Sequence, residues 1–174
     1  MRDFYTHTFF PTKVYSFFID VNKDSIINYL YSLKENNKGV LKSNVGGWQS
    51  SNDLHLKKEL QELCIALKLS SKKHLNFNID IKEMWGNISS YGDYNKIHSH
   101  GSYNDTEWSG CFYLKTFSDS GDFVVHNRTH PSEHAPLNVK DNEVLFFQSD
   151  TYHSVLSNLE SQDRVSIAFN FIKL

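Results

Sequence analysis

From about residue 74 the hydrophobic pattern of this chain changes period, and that change limits the fold more than any other feature. Upstream, apolar residues recur at helical spacing. Ile26, Ile27, Leu30 and Leu33 mark one helix over Asp24–Lys34, with Asp24 or Ser25 as cap and Gly39 as the stop. Leu56, Leu60, Leu63, Cys64 and Leu67 mark a second, capped by Asn52 or Asp53, and Cys64 sits in its apolar stripe as a core residue. Downstream, Asn76–Ile81 alternates polar and apolar residues, the pattern of a half-buried strand. Short strand-like runs follow at Ser109–Thr116, Asp122–His126, Glu143–Phe147, His153–Leu156 and Val165–Ile172, punctuated by Gly92, Gly101, Gly121, Pro131 and Pro136. An aromatic content of 14% suits such a pleated surface. Helices followed by many short strands predict a mainly β domain, a sandwich or small barrel with flanking helices. No repeat, low-complexity tract or linker interrupts the chain. It therefore reads as a single domain, 1–174, with helical support over roughly 1–73 and a β core over roughly 74–174.

Charge and composition narrow the function classes. The formal net charge of −2 carries no cationic footprint of the kind that grips nucleic-acid phosphates. No apolar run approaches the roughly 20 residues that span a bilayer. The two cysteines, Cys64 and Cys111, with no secretion signal ahead of them, point to a reducing, cytoplasmic setting.

Three pieces of sequence carry chemistry. In Asn95-Lys-Ile-His98-Ser-His100, an extended backbone places both imidazoles on one face, close enough for one metal. Imidazole suits iron, zinc, copper or nickel, so ligand type does not choose among them. Further on, an apolar strand from Glu143 runs into a turn that ends at His153, which can deliver a third ligand and leave positions open on an octahedral metal. Finally, Arg164 and Ser166 share a face of a strand whose other residues, Val165, Ile167, Ala168 and Phe169, are apolar. An inward arginine is costly unless paired. A guanidinium grips a carboxylate bidentately, and a dicarboxylate ligand would answer that need. An internal Asp or Glu, or an exposed strand end, would also account for Arg164.

In this order, His98-Ser-His100, Ser109-Gly-Cys-Phe-Tyr113-Leu114, Leu145-Phe-Phe-Gln-Ser, His153 and Arg164-Val-Ser-Ile-Ala-Phe-Asn170 resemble the Fe(II)/2-oxoglutarate dioxygenase superfamily. The closer resemblance is to a bacterial and phage oxygenase family marked by His-x-His followed by Ser-Gly-x-x-Tyr-Leu. Ser43-Asn-Val-Gly-Gly-Trp48 adds to it, and the match spans roughly residues 43–172. The resemblance implies a double-stranded β-helix, that is, a cupin-like jelly roll. It also implies Fe(II) with 2-oxoglutarate and O2 as cosubstrates, and hydroxylation of an unknown small-molecule, peptide or protein acceptor. His98 and His153 would bind iron. Arg164 and Ser166 would bind the distal carboxylate of 2-oxoglutarate, Tyr113 would join them, and Asn87 and Asn170 are further candidates.

One position departs from the superfamily pattern: His100 stands where a carboxylate is common. His100 is then the third ligand, or Asp105 or Glu107 supplies a carboxylate from the following loop, or the iron chemistry is weakened. Halogenation is disfavoured, since His100 still offers a donor. The segment Asn127–Pro136, with Arg128, His130 and His134, reads as a solvated loop, and Gly46-Gly47-Trp48 as a lid or as a turn with a buried indole. A metal-binding cupin without oxygenase activity needs the histidines but no inward Arg164, and a structural jelly roll needs neither. Homo-oligomerisation and source stay open, although the wealth of Asn, Lys and Ser fits a phage or marine bacterium; a phage-encoded chain would act in the host cytoplasm.

Overall fold

The computed structural model describes residues 4–10, 12–101, 107–130 and 132–174. Eight strands make its framework: β5 (Ile79–Ser89), β6 (Tyr94–His98), β7 (Glu107–Lys115), β8 (Phe123–His126), β9 (His134–Leu137), β10 (Glu143–Gln148), β11 (His153–Val155) and β12 (Arg164–Lys173). They divide between two antiparallel sheets, β10-β7-β12-β5 in one and β6-β11-β8-β9 in the other. Successive strands from β5 to β8 and from β9 to β12 alternate or step between the sheets, which is the double-stranded β-helix. The alternating runs in the sequence correspond to β5, β7, β8, β10, β11 and β12.

Residue alternation on the larger sheet separates two cores. On β12, Val165, Ile167, Phe169 and Phe171 point outward and join Met84, Ile88, Phe112 and Phe146 beneath the helices. The opposite face, with Leu145, Phe147 and Tyr113, meets Phe123 and Val125 of the smaller sheet. Arg164, Ser166, Ala168 and Asn170 of β12 line the cavity between the sheets. Gly110 on β7 is required by this packing. A Cβ there would lie 2.5 Å from the Phe169 ring and 2.7 Å from the Leu145 carbonyl oxygen.

The region 1–73 is not only helical support. β1 (Phe4–Phe9) and β2 (Thr12–Phe18) form a hairpin that extends the larger sheet beyond β10, while β3 (Asn44–Val45) and β4 (Trp48–Gln49) close the far edges of the two sheets. β2 is set by its register with β10, where Phe17 opposes Val144 and Tyr15 opposes Phe146. Its Thr, Val, Tyr and Phe residues fit a pleated surface.

Helix α1 (Lys23–Asn36) starts one position earlier than its apolar stripe suggests, because Asn22 is the cap and its side chain accepts from the Ser25 amide. The second helical segment begins as two 3₁₀ turns, Leu54–Leu56 and Lys58–Leu60. Only then does α2 (Gln61–Leu75) follow, ending at Asn76 in the left-handed conformation. Both helices lay apolar residues, Ile26 and Leu30 from one and Leu63 and Leu67 from the other, on the outer core. No helix among the described residues is long and apolar enough to cross a membrane.

Candidate metal and cosubstrate site

A cavity of about 620 Å³ opens between the sheets, and the chemistry-bearing residues converge on it. His98 ends β6 and His153 begins β11, and the two pair directly across the smaller sheet. His100 lies just past β6, its amide bonded to the Ser149 carbonyl at 2.8 Å. The ligand atoms of the three histidines all lie within 4.8 Å of one another.

Their protonation follows from their partners. His98 Nδ1 lies 2.7 Å from the Lys96 carbonyl oxygen and His153 Nδ1 2.9 Å from that of Thr151. His100 Nδ1 lies 2.8 Å from Asn170 Oδ1. A carbonyl oxygen only accepts, so each neutral ring donates from Nδ1 and turns an unprotonated Nε2 into the cavity; Ser43 Oγ lies 3.3 Å from that of His98, and Ser109 Oγ lies 3.0 Å from His100 Nδ1. The Nε2 atoms of His98 and His100 stand 3.2 Å apart. With both protons on Nδ1, that contact is two lone pairs facing each other, which a cation between them would relieve. Burial and mutual proximity keep the rings neutral. Desolvation lowers the His98 pKa, takes His100 down to about 4 with help from His98, and pushes His153 well below its ordinary value. Phe123 stacks on His153 at 5.1 Å between centroids, and Phe147 packs at 4.8 Å, so that ring has little freedom.

Deeper in the same cavity, Arg164 is 3% exposed. Its Nη1 donates to the carbonyl oxygens of Ser120 and Leu156, and no carboxylate among the described residues pairs with it. Desolvation lowers its pKa, the expected result for a buried cation. Ser166 opposes Tyr113 on one neighbouring strand and Asn87 on the other. All three line the cavity with Arg164. The Tyr113 hydroxyl is buried without a well-formed hydrogen bond among the described residues, and burial raises its pKa well above the usual value. The adjacent Cys111 thiol is pushed up to about 11 by burial, too weak an acid to pair with Arg164 as a thiolate. A buried cation, a free phenol and a serine hydroxyl in one corner have the donor chemistry of a carboxylate receptor, and three bare imidazole nitrogens have that of a divalent transition-metal site.

The other residues singled out in the sequence sort clearly. Asn170 lines the cavity, yet its side chain is committed to His100, Ser109 and Glu83. Glu107 is exposed at the start of β7 and is not in the ligand cluster, and Asp105 lies outside the described residues. The segment after β8 is a hairpin rather than a plain loop, since β9 pairs with β8 and His134 opposes His126. Arg128, His130 and His134 are exposed on it, and none lines the cavity. Trp48 is buried with its Nε1 donating to the Asn37 carbonyl, so the Gly46-Gly47 turn carries a core indole. Glu83 and Trp85, which no motif in the sequence singles out, also line the cavity, from β5. Their signal is the alternation Glu83, Trp85, Asn87, Ser89 against Met84 and Ile88, but its phase shifts at an irregularity between Ile81 and Glu83, so counting by twos from Ile79 and Ile81 puts Glu83 on the core face.

Comparison with known proteins adds a family and a fold. The family described as "Putative 2OG-Fe(II) oxygenase" matches residues 83–170, half of the chain. Among solved structures, HygX from Streptomyces hygroscopicus with nickel and 2-oxoglutarate bound superposes with a TM-score of 0.68. It is 13% identical, over 91% of this chain and 82% of that one. The carbocyclase SnoK from nogalamycin biosynthesis gives 0.70 at 8% identity, over 91% and 79%. A Pseudomonas putida prolyl-4-hydroxylase gives 0.60 at 12% identity, over 99% and 93%. At these identities the likeness is one of fold. No curated protein matches.

Proposed function

The chain belongs to the 2OG-Fe(II) oxygenase family, and from that premise we propose that His98, His100 and His153 bind the iron while Arg164, Ser166 and Tyr113 receive the distal carboxylate of 2-oxoglutarate. The enzyme is a non-haem, Fe(II)- and 2-oxoglutarate-dependent oxygenase. The observation that carries the assignment is the coexistence, in one cavity, of three Nδ1-anchored imidazoles and a buried arginine that forms no ion pair with any described carboxylate. A metal-binding cupin without oxygenase activity has no use for the second feature.

When bound, Fe(II) activates O2, and 2-oxoglutarate is converted to succinate and CO2 as an acceptor is oxidised, which we take to be hydroxylation. The protein's own work is positional. Lys96, Thr151 and Asn170 hold three rings with their Nε2 lone pairs convergent, so little reorganisation is left for metal entry. Arg164 and its neighbours fix one end of the dicarboxylate, which sets the direction in which its keto-acid end lies. Phe123 and Phe147 wall His153 from water. The remaining edge of the cavity, lined by Lys42, Ser43, Asn95 and Lys96, is where we place acceptor entry, whether small molecule or peptide. The two free cysteines suit a reducing compartment, and we assign the cytoplasm.

The test is anaerobic titration of the purified protein with Fe(II) and then 2-oxoglutarate. A visible charge-transfer band is expected, lost in His98→Ala and requiring far more 2-oxoglutarate in Arg164→Ala. No band at any cosubstrate concentration in the native chain would refute the assignment.

A further inference from the structure

His100 differs from the other two histidines in what anchors it. His98 and His153 bond backbone carbonyls, which are acceptors by construction. The partners of His100 Nδ1 are both side chains, the Asn170 amide at 2.8 Å and the Ser109 hydroxyl at 3.0 Å; the amide can turn over to present either an acceptor or a donor, and the hydroxyl, whose one proton goes to Asn170 Oδ1 in the observed orientation, follows it. A turned Asn170 would put NH2 against His100 Nδ1 and drive the ring proton to Nε2, the atom needed for metal.

The structure supplies a reason why it does not turn. Glu83 on β5 and Ser109 on β7 are the direct cross-strand neighbours of Asn170 on β12, so the three side chains form one row across three strands. Glu83 Oε2 accepts from Asn170 Nδ2 at 2.8 Å, and its Oε1 accepts from Asn52 Nδ2 at 2.6 Å. An ionised carboxylate cannot donate, so only one face of the Asn170 amide satisfies it. That choice turns Oδ1 toward the metal cluster, where it accepts from the fully buried Ser109 hydroxyl at 2.9 Å and from His100. Every bond in the row then has a single direction, running from His100 through Asn170 to Glu83.

We propose that Glu83 is a positioning residue that selects the metal-binding tautomer of His100 by fixing the orientation of the Asn170 amide. The inference rests on His100 being a metal ligand for its purpose, but the tautomer itself is a property of the metal-free protein. Glu83 also places a negative charge behind the ligand that replaces the usual carboxylate, one amide removed from the ring.

The substitutions follow from hydrogen-bond direction. In Glu83→Gln the Asn52 amide still claims an oxygen, which leaves the Gln NH2 facing Asn170 and favours the turned amide. In the double variant Glu83→Gln/Asn170→Asp, the carboxylate moves one residue inward. It accepts from His100, Ser109 and the Gln NH2 at once, and it cannot be turned to a donor.

The experiment is ¹⁵N NMR of histidine-labelled, metal-free protein at a pH where all three imidazoles are neutral, paired with Co(II) titration followed by visible absorption. The native chain is expected to show all three rings protonated on Nδ1. Glu83→Gln should move His100 alone toward the Nε2-protonated form and weaken Co(II) binding by about tenfold or more, the usual scale for losing a group behind a ligand. The double variant should restore both. A loss of packing alone would disturb all three rings and would not be rescued by the swap. An Nε2-protonated His100 in the native chain, or a Glu83→Gln protein with an unchanged His100 and Co(II) affinity, would overturn the proposal. The first of these outcomes needs no variant to fold. A native chain that shows the expected tautomers but binds no Co(II) would instead count against the metal assignment.

Discussion

Acidification should destabilise the metal-free protein well above the pH at which carboxylates titrate, and His100 should account for a measurable share. Its folded-state pKa is about 4 against 6.5 for a free imidazole, chiefly from desolvation and then from His98. A lowered folded-state pKa means that the unfolded chain binds the proton more tightly. The stability contribution is therefore complete above the unfolded value and is lost as pH falls toward the folded one. Taking those two values, stability from His100 drops by about 2 kcal/mol between pH ~8 and pH ~5, and by about 3 kcal/mol at pH ~4. Whole domains are stable by only about 5–15 kcal/mol, so this is a large fraction. His98 and His153 act in the same direction, although their mutual repulsion makes the three less than additive. The lowered pKa values of Asp53, Asp80, Asp141 and Asp163 matter only in more acidic solution. Glu143, raised by burial, works the other way. It cancels when native protein is compared with His100→Gln at each pH. Urea unfolding with a chelator present is the assay. With a slope near 2 kcal/mol/M, His100 alone should lower the native midpoint by about 1 M over that range, a shift missing from His100→Gln. A midpoint independent of pH, or the same decline in His100→Gln, would refute the reasoning.

Other outcomes follow from single contacts. Arg164→Ala should raise the 2-oxoglutarate requirement by at least about tenfold, as expected for losing a charge-assisted pair, while Fe(II) binding to the three histidines stays within a few-fold; calorimetry of each ligand separates the two. Gly110→Ala, whose Cβ would strike the Phe169 ring and the Leu145 carbonyl, should cost about 3 kcal/mol or more, whereas Gly92→Ala, with φ of 85° and nothing within 4 Å, should cost about 1–2 kcal/mol for its backbone alone. Equal melting temperatures for these two variants would show that the Gly110 contact relaxes freely. Asn22→Ala should remove the α1 cap at about 1 kcal/mol, a fall of roughly 2–4 °C in melting temperature by calorimetry.

Much of the β framework could be read from the chain because a two-sided sheet writes itself as alternation. Arg164, Ser166 and Asn170 against Val165, Ile167 and Phe169 is such a record, and it correctly separated the cavity face of β12 from the helix face. The β1–β2 hairpin left no such trace. β1 is exposed along most of its length, and β2 owes its place to pairing with β10, more than a hundred residues away. The start of the helix at Gln61 is hidden for a related reason: the preceding 3₁₀ turns carry apolar residues, Leu54, Leu56 and Leu60, at spacings that merge into its helical stripe. In the site, the spacing of His98, His153 and Arg164 brought them to notice, but the partner of His100 depended on strand register. Asn170, Glu83 and Ser109 are far apart in sequence and adjacent only because β12 lies between β5 and β7, with an irregularity in the β5 pairing directly after Asn170.

With His100 as the proposed third ligand, a histidine in place of a carboxylate makes sense as charge balance within the cavity. Inside it, Arg164 carries one positive charge and Glu83 one negative, and the three imidazoles are neutral. Fe(II) brings two positive charges and fully ionised 2-oxoglutarate two negative, so the loaded cavity sums to zero. A carboxylate at position 100 would leave one uncompensated negative charge among these residues, and partial burial makes such a charge costly. In the proposed ligand set Glu83 and a ligand carboxylate are therefore alternatives, and the negative charge stands behind His100, one amide removed, instead of on the metal. Lys42 and Lys96 do not alter the sum, because they are exposed at the rim and screened by solvent. On that assignment the histidine at position 100 and the glutamate at position 83 act as one electrostatic unit, and substitution at either position changes what the other must do.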